Sequence, residues 1–88
     1  MAATKDDIRS WLQTGLRMGA THVLVVCDTL EHSDFPVYVH ADQDVARVAA
    51  DPKREENMEK IMQCYDLSLS LEAQIEEHRA WHGWSPSQ

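Results

Sequence analysis

The sequence predicts a small α+β domain: a helix, an antiparallel β-hairpin, a short helix and a long C-terminal helix that is continuous or broken once. Its 88 residues are 43% hydrophobic and 26% charged, which suits one folded domain with a small core. An N-terminal segment with helical spacing precedes two β-rich runs. We therefore expect a single domain over residues 1–88, with 83–88 as a tail.

The first helix is predicted over residues 5–18. Thr4 is a suitable N-cap, and the acidic residues that follow favour the positive end of the helix dipole. Gly19 suits the left-handed residue that ends many helices. The apolar residues recur at helical spacing, at Ile8, Trp11, Leu12 and Leu16.

Two strands are expected next. Thr21–Asp28 is predicted as the first strand, because its residues 23–27 form a continuous, β-branched apolar run, as in a strand covered on both faces. Pro36–His40 alternates with period two, and its proline suits a strand start or an edge. Because their connection is too short for a helical crossover, the strands should be antiparallel. Helices or a second subunit must cover so small a sheet.

The second half of the chain is read as helical. Asp42 is predicted to cap a short helix over residues 43–50, and Asp51-Pro52 to begin another. We expect the helices to pack on one face of the sheet. The predicted core members are Trp11, Val23, Val25, Val37, Met58, Ile61, Met62 and Tyr65.

The last helix has two interpretations. Its first apolar stripe is formed by Met58, Ile61, Met62 and Tyr65. Continued to His82, the helix carries a second apolar stripe nearly opposite the first, formed by Leu67, Leu71, Ile75 and His78. Either the helix breaks within residues 66–70, where Ser68 or Ser70 could cap a new one, or one long helix contacts a second subunit or partner. The lack of glycine and proline between residues 53 and 82 favours the continuous helix.

Charge constrains the class of partner. The net charge is −7, and residues 18–51 hold six acids against one base, a net −5. This field repels nucleic acid and attracts a basic protein surface, although simple solubility also explains it. The acidic residues predicted to contact a partner are Glu31, Asp34, Asp42, Asp44 and Asp51.

Tryptophans supply a second candidate feature. Trp81 and Trp84 are either exposed anchors of a protein interface or are buried by a tail that folds back over the sheet. The sequence leaves both open.

An alternative ligand-binding site consists of polar residues in and around the predicted hairpin. It would be a small-ligand pocket at a subunit boundary, formed by Asp28, Thr29, His32, Tyr38 and His40. Cys27 could act as a nucleophile beside a histidine, but it ends an apolar run and no nucleophile motif accompanies it. We therefore predict no enzyme activity and no cofactor.

Metal binding has one weak indication. His78 and His82 are four residues apart on the predicted helix, a spacing that can hold a metal ion, with Glu77 and His40 as further ligands. The usual metal motifs are absent from the sequence, so no metal site is predicted.

Several segments resemble a group of small uncharacterised proteins from phage and bacterial genomes: residues 20–29, Asp34, residues 36–39 and residues 65–69. The resemblance implies a phage or mobile-element origin and transfers no activity or site. Small acidic phage proteins are often stoichiometric inhibitors or ligand-sequestering proteins.

These observations favour a non-enzymatic, phage-encoded binding protein that occludes a basic surface of a host protein, as an anti-CRISPR or other anti-defence inhibitor. The start of the chain lacks signal-peptide features, and two cysteines do not form a disulfide framework, so we expect the host cytoplasm. The alternative is a small-ligand- or metal-binding oligomer. We expect no direct nucleic-acid or membrane partner; a homo-oligomer through the C-terminal helix is a further expectation.

Overall fold

The computed structural model describes residues 3–77 and 80–86, and it confirms the α+β class. Three antiparallel strands form one sheet, accompanied by short helices. The predicted long C-terminal helix is wrong, because the last described helix has six residues. The elements in chain order are α1 (Lys5–Arg17), β1 (Ala20–Asp28), β2 (Ser33–His40), α2 (Val45–Ala49), α3 (Pro52–Glu56), β3 (Glu59–Asp66) and α4 (Leu71–Glu76).

Helix α1 begins and ends at the signals read from the sequence. The Thr4 hydroxyl accepts a hydrogen bond from the backbone N–H of Asp7, and the Asp7 carboxylate accepts one from the Thr4 N–H. This reciprocal pair satisfies two backbone donors that the first helical turn leaves free. Gly19, with φ +77°, follows the helix in the left-handed conformation.

Strand β1 is the centre of the sheet, in the order β2-β1-β3. Its residues 23–26 are at most 1% exposed, because both sheet faces are covered. This explains the continuous apolar run and confirms that β1 is covered on both sides. The β1–β2 pair is antiparallel as predicted, with Asp28 opposite Ser33 and Ala20 opposite His40.

Residues 59–66 form a strand, so the prediction of a helix there is wrong. Helix α3 starts at the predicted Asp51-Pro52 signal but ends after five residues, and Met58 adopts φ +58°, which helical backbone does not allow. The following segment pairs with the free edge of β1. Pairing satisfies the backbone groups of the central strand, and this tertiary gain outweighs the helical spacing of the side chains.

The C-terminal region breaks within residues 66–70, as the broken-helix interpretation allowed. Ser70 caps α4 by accepting a hydrogen bond from the Ala73 N–H. Leu67 and Ile75 of the supposed second stripe are buried within the same chain. A subunit contact is therefore no longer needed to bury them. His78, also assigned to that stripe, lies outside the described residues.

Two clusters fill the two faces of the sheet, so the prediction of helices on one face is wrong. The α1 face holds Ile8 and Leu12 against Val23, Val25 and Tyr65. On the opposite α2 face, residues of α2 pack with Leu24, Val26, Val39 and Cys64, and the half-buried residues around them include Val37, Ile61, Trp81 and Trp84.

The predicted core membership is correct in part. Val23, Val25 and Tyr65 are buried, and Trp11 and Met62 are partly buried against the same cluster. Val37 and Ile61 belong to the other face because strand side chains alternate between faces. Met58 is 50% exposed because it lies in the turn between α3 and β3.

At both edges of the sheet, part of the backbone is unable to pair with another strand. Along β3, residues 80–82 lie parallel to the strand: the Cys64 N–H donates to the Ala80 carbonyl (2.9 Å), and the His82 N–H donates to the Cys64 carbonyl (3.0 Å). Along β2, the Gln43 N–H donates to the His40 carbonyl (3.0 Å), and the His40 N–H donates to the Gln43 side-chain oxygen (2.9 Å). In an antiparallel strand, every second residue points its N–H and carbonyl away from the paired strand. Pro36 is therefore on the same outer edge as His40, and as a proline it has no N–H there. These features oppose the addition of another strand.

Candidate functional site

An acidic depression lies beside α2. Its volume is about 410 Å³, and its three carboxylates are all exposed. In the described part of the chain, none of them takes part in an ion pair. They therefore project a net negative field, which Arg47 among the lining residues reduces. The lining residues are Asp42, Gln43, Asp44, Arg47, Val48 and Asp51.

Two of these carboxylates also shape the backbone. Asp44 accepts a hydrogen bond from the Ala46 N–H and caps α2, and Asp51 accepts one from the Lys53 N–H and caps α3. The predicted cap at Asp42 is thus wrong by two residues, because Asp44 has the extended backbone that an N-cap needs. Each capping carboxylate retains lone pairs that face solvent.

An aromatic groove of about 420 Å³ lies beside the end of α2, where Ala49 lines it. The rings of Trp81 and Trp84 meet edge-to-face, with centroids 5.9 Å apart and planes at 67°. Both tryptophans are half-buried, so the tail folds over the sheet while leaving part of each indole accessible. The groove is lined by Ala49, Arg54, Glu59, Lys60, Ile61, Met62, Trp81, Trp84 and Pro86.

The backbone of residues 80–84 is held against the sheet at two points. Cys64 anchors it through its backbone and through a thiol that donates to the His82 carbonyl (2.9 Å). Gly83 lies so close to His22 that a Cβ there would come within 2.5 Å of the imidazole Nε2. Burial raises the pKa of Cys64 to about 11, against the lowering effect of hydrogen bonds with the backbone of Trp84 and His82.

Asp66 lies beside this contact. Its carboxylate is 3.7 Å from His22 Nε2 and accepts hydrogen bonds from the N–H and hydroxyl of Ser68. Partial burial opposes its ionisation. The Ser68 hydrogen bonds and the nearby imidazoles of His22 and His82 outweigh that effect and lower the pKa of Asp66.

The other two predicted acidic contacts lie elsewhere. Glu31 is exposed in the β1–β2 turn. Asp34 is partly buried and accepts a hydrogen bond from the Ala3 N–H (2.8 Å). The structure therefore separates Glu31 and Asp34 from the acidic depression, which follows the opposite end of β2.

The alternative ligand residues do not form one pocket. Asp28, Thr29 and His32 lie at the turn end of the hairpin, whereas His40 is opposite Ala20 at the other end of β1. Seven residues of strand, roughly 20 Å, separate Ser33 from His40. Tyr38 lies between these ends, against the α1 face.

The described residues contain no metal-binding group, and the surroundings of Cys27 oppose its use as a nucleophile. No group of three histidine, cysteine or acidic side chains among residues 3–77 and 80–86 could hold a metal ion. His82 Nε2 is 3.1 Å from Glu77 Oε1, and His78 lies outside the described residues. Burial, followed by a hydrogen bond with Asp34, raises the pKa of Cys27, which opposes formation of the reactive thiolate.

Sequence reasoning missed much of the aromatic groove. Lys60, Ile61 and Met62 line it, but a helix was predicted there. The signal that could have found the strand is the β-favouring content of Ile61, Cys64 and Tyr65.

These observations define an α+β protein with a three-stranded antiparallel sheet, covered on both faces, and two depressions that flank α2. No family model, curated protein or solved structure matches this chain. In the described part of the chain, the longest helix has 13 residues, and none is long and apolar enough to cross a membrane.

Proposed function

We propose that this chain is a non-enzymatic binding protein that occludes a basic surface of a host protein. It acts in the host cytoplasm as a phage-encoded inhibitor of the anti-CRISPR or another anti-defence type. The observation that carries the proposal is the arrangement around α2, where exposed carboxylates and two half-buried tryptophans lie on one side of the sheet.

The acidic depression and the aromatic groove are both lined by residues of α2, and together with this helix they are here called the α2 surface. Val48 lines the acidic depression and Ala49 lines the aromatic groove, and both side chains pack on the same cluster below. A single partner could therefore contact both depressions across α2.

The two parts have complementary roles. The carboxylates attract a lysine- and arginine-rich partner and align it, mainly by raising the association rate. The accessible indole surfaces of Trp81 and Trp84 supply apolar area, and tryptophan is frequent among the residues that dominate binding energy. Charge thus provides selectivity, and the aromatic groove slows dissociation.

The alternative function, a small-ligand- or metal-binding oligomer, has less support. Asp28 and His40 lie at opposite ends of the sheet, so the proposed pocket would need a second subunit to bring such residues together.

The test uses the immobilised chain to capture a partner from a bacterial lysate, followed by measurement of Kd with the purified partner. The variant is Asp42→Asn, Asp44→Asn and Asp51→Asn combined. Asparagine caps helices about as well as aspartate, so this variant removes charge and keeps the caps. We expect at least tenfold weaker binding and a smaller dependence of Kd on salt.

The matched control neutralises three other exposed carboxylates, with Glu55→Gln, Glu56→Gln and Glu76→Gln. It changes the net charge equally and leaves the acidic depression intact, so the Kd should change by less than threefold. Equal weakening by the two variants, or no weakening by the aspartate variant, would overturn the proposal.

A further inference from the structure

A second surface lies at the end of the sheet farthest from Asp42 and Asp44. It combines the β1–β2 turn with the turn between α3 and β3. Thr29 joins the two turns, because its N–H (2.9 Å) and its hydroxyl (2.6 Å) both donate to the Met58 carbonyl. Residues 28–32 with residues 57–58 are here called the sheet tip.

Two large apolar side chains are exposed at the sheet tip. Leu30 is 68% exposed and Met58 is 50% exposed. Single exposed apolar residues are common on protein surfaces. Here the two residues belong to turns that the Thr29 hydrogen bonds join, so both lie at the same end of the sheet.

The backbone at Met58 has an energetically unfavourable conformation. Its φ of +58° is a conformation that glycine and asparagine adopt more readily than a long apolar side chain. Met58 is not a member of either core cluster, and half of it faces solvent. The sheet tip therefore retains an exposed thioether at a position where glycine would relieve strain, as is common at functional sites.

The neighbouring turn is ordered and acidic. The Asp28 carboxylate accepts hydrogen bonds from the N–H groups of Leu30 (2.9 Å) and Glu31 (3.2 Å). These bonds hold the Leu30 backbone before any partner arrives, which reduces the entropy lost on binding. The carboxylates of Asp28 and Glu31 place negative charge beside the two apolar side chains.

We propose that the sheet tip is a second protein-interaction surface, in which Leu30 and Met58 contact an apolar stripe flanked by lysine or arginine. The partner is a protein whose surface combines an apolar area with flanking lysine or arginine residues. This inference goes beyond the proposed function, because it uses other residues and holds whether or not the α2 surface binds a partner.

The experiment uses an amphipathic helical peptide of leucine and lysine as the probe, since it presents an apolar stripe flanked by positive charge. The peptide is titrated into the isotopically labelled full chain, and backbone amide NMR shifts are followed. We expect saturable shifts concentrated at residues 28–32 and 57–60. Shifts confined to residues 42–51 and 81–84 would overturn the inference while supporting the α2 surface, and so would distinguish the two proposals.

A double variant, Leu30→Ser with Met58→Gly, tests the two anchors. We expect the Kd for the peptide to rise at least tenfold. The thermal midpoint should be unchanged or higher, because glycine relieves the left-handed backbone.

The matched control is Leu16→Ser with Leu69→Ser, which removes two other apolar side chains that are 50% and 48% exposed. Its Kd should stay within threefold of the wild type. The inference is wrong if the control weakens binding as much as the double variant, or if the peptide shows no saturable binding to the wild-type chain.

Discussion

Gly83 packs directly on the imidazole of His22, and this contact positions the C-terminal segment across the α2 face. A Cβ at residue 83 would lie 2.5 Å from Nε2 and 2.8 Å from Cδ2 of that ring. Gly83 also has φ +88°, so the backbone conformation favours glycine, and a side chain there would have to displace the His22 ring. The segment it holds carries Trp81 and Trp84, and the aromatic groove depends on this contact.

Substitution Gly83→Ala should therefore lower the free energy of unfolding by about 2 kcal/mol, from the strained backbone plus displacement of the His22 ring. Urea unfolding measures this loss. Gly19→Ala is the matched control: Gly19 also has positive φ, but nothing lies within 4 Å of its Cβ position, so about 1 kcal/mol is expected. Equal losses in the two variants would show that the His22 contact is not tight.

Cys64 reports whether the C-terminal segment stays in place. Burial, which raises its pKa to about 11, should make its thiol react much more slowly with a maleimide at pH 7.5 than the partly exposed Cys27. Trp81→Ala with Trp84→Ala should accelerate labelling of Cys64 at least tenfold and leave Cys27 unchanged. The account fails if Cys64 reacts as fast as Cys27 in the wild type.

Asp66 should make stability depend on acid pH. Its pKa in the folded chain lies below the ordinary value of 3.8, so ionised Asp66 favours the folded state. This contribution is present above pH 3.8 and is lost as the pH falls through the folded-state value. Urea unfolding between pH 2 and pH 6 should show a weaker pH dependence for Asp66→Asn. Ser68→Ala removes the hydroxyl hydrogen bond and should have an intermediate effect; identical profiles for the wild type and Asp66→Asn would contradict the assignment.

Arg54 fixes the end of α2 against β3. Its guanidinium donates twice to the Val48 carbonyl (3.1 and 2.8 Å) and once to Glu59 (3.2 Å). A lysine ammonium cannot reproduce this planar fork. Arg54→Lys should therefore cost about 1–2 kcal/mol of unfolding free energy, whereas Arg47→Lys at an exposed position should cost less than about 0.5 kcal/mol. Equal costs in urea unfolding would contradict the role of Arg54.

The parts of the fold that local signals control were predictable. The caps at Thr4 and Asp51, the glycine after α1 and the β1–β2 pairing follow from neighbouring residues and from strand composition. Ser70 was recognised as one cap that could begin a new helix.

The parts set by distant contacts were not predictable. Helical spacing fits Ile61, Met62 and Tyr65, but the segment forms a strand because it pairs with the open edge of β1. The register shift beside Val25 and Val26 interrupts the alternation that would have indicated a strand. The contact between His22 and Gly83 joins residues far apart in sequence. Within the candidate site, the clustering of Asp42, Asp44 and Asp51 could be predicted, whereas the separate position of Asp34 depends on its hydrogen bond with Ala3.

The central claim, that the α2 surface binds a partner, is tested most directly by amide hydrogen exchange of the chain, free and in complex with the protein captured from lysate. The account predicts slower exchange at residues 42–51 and 81–84 in the complex, with α1 and α4 unchanged. Protection confined to α1 and α4, with residues 42–51 exchanging as in the free chain, would contradict it.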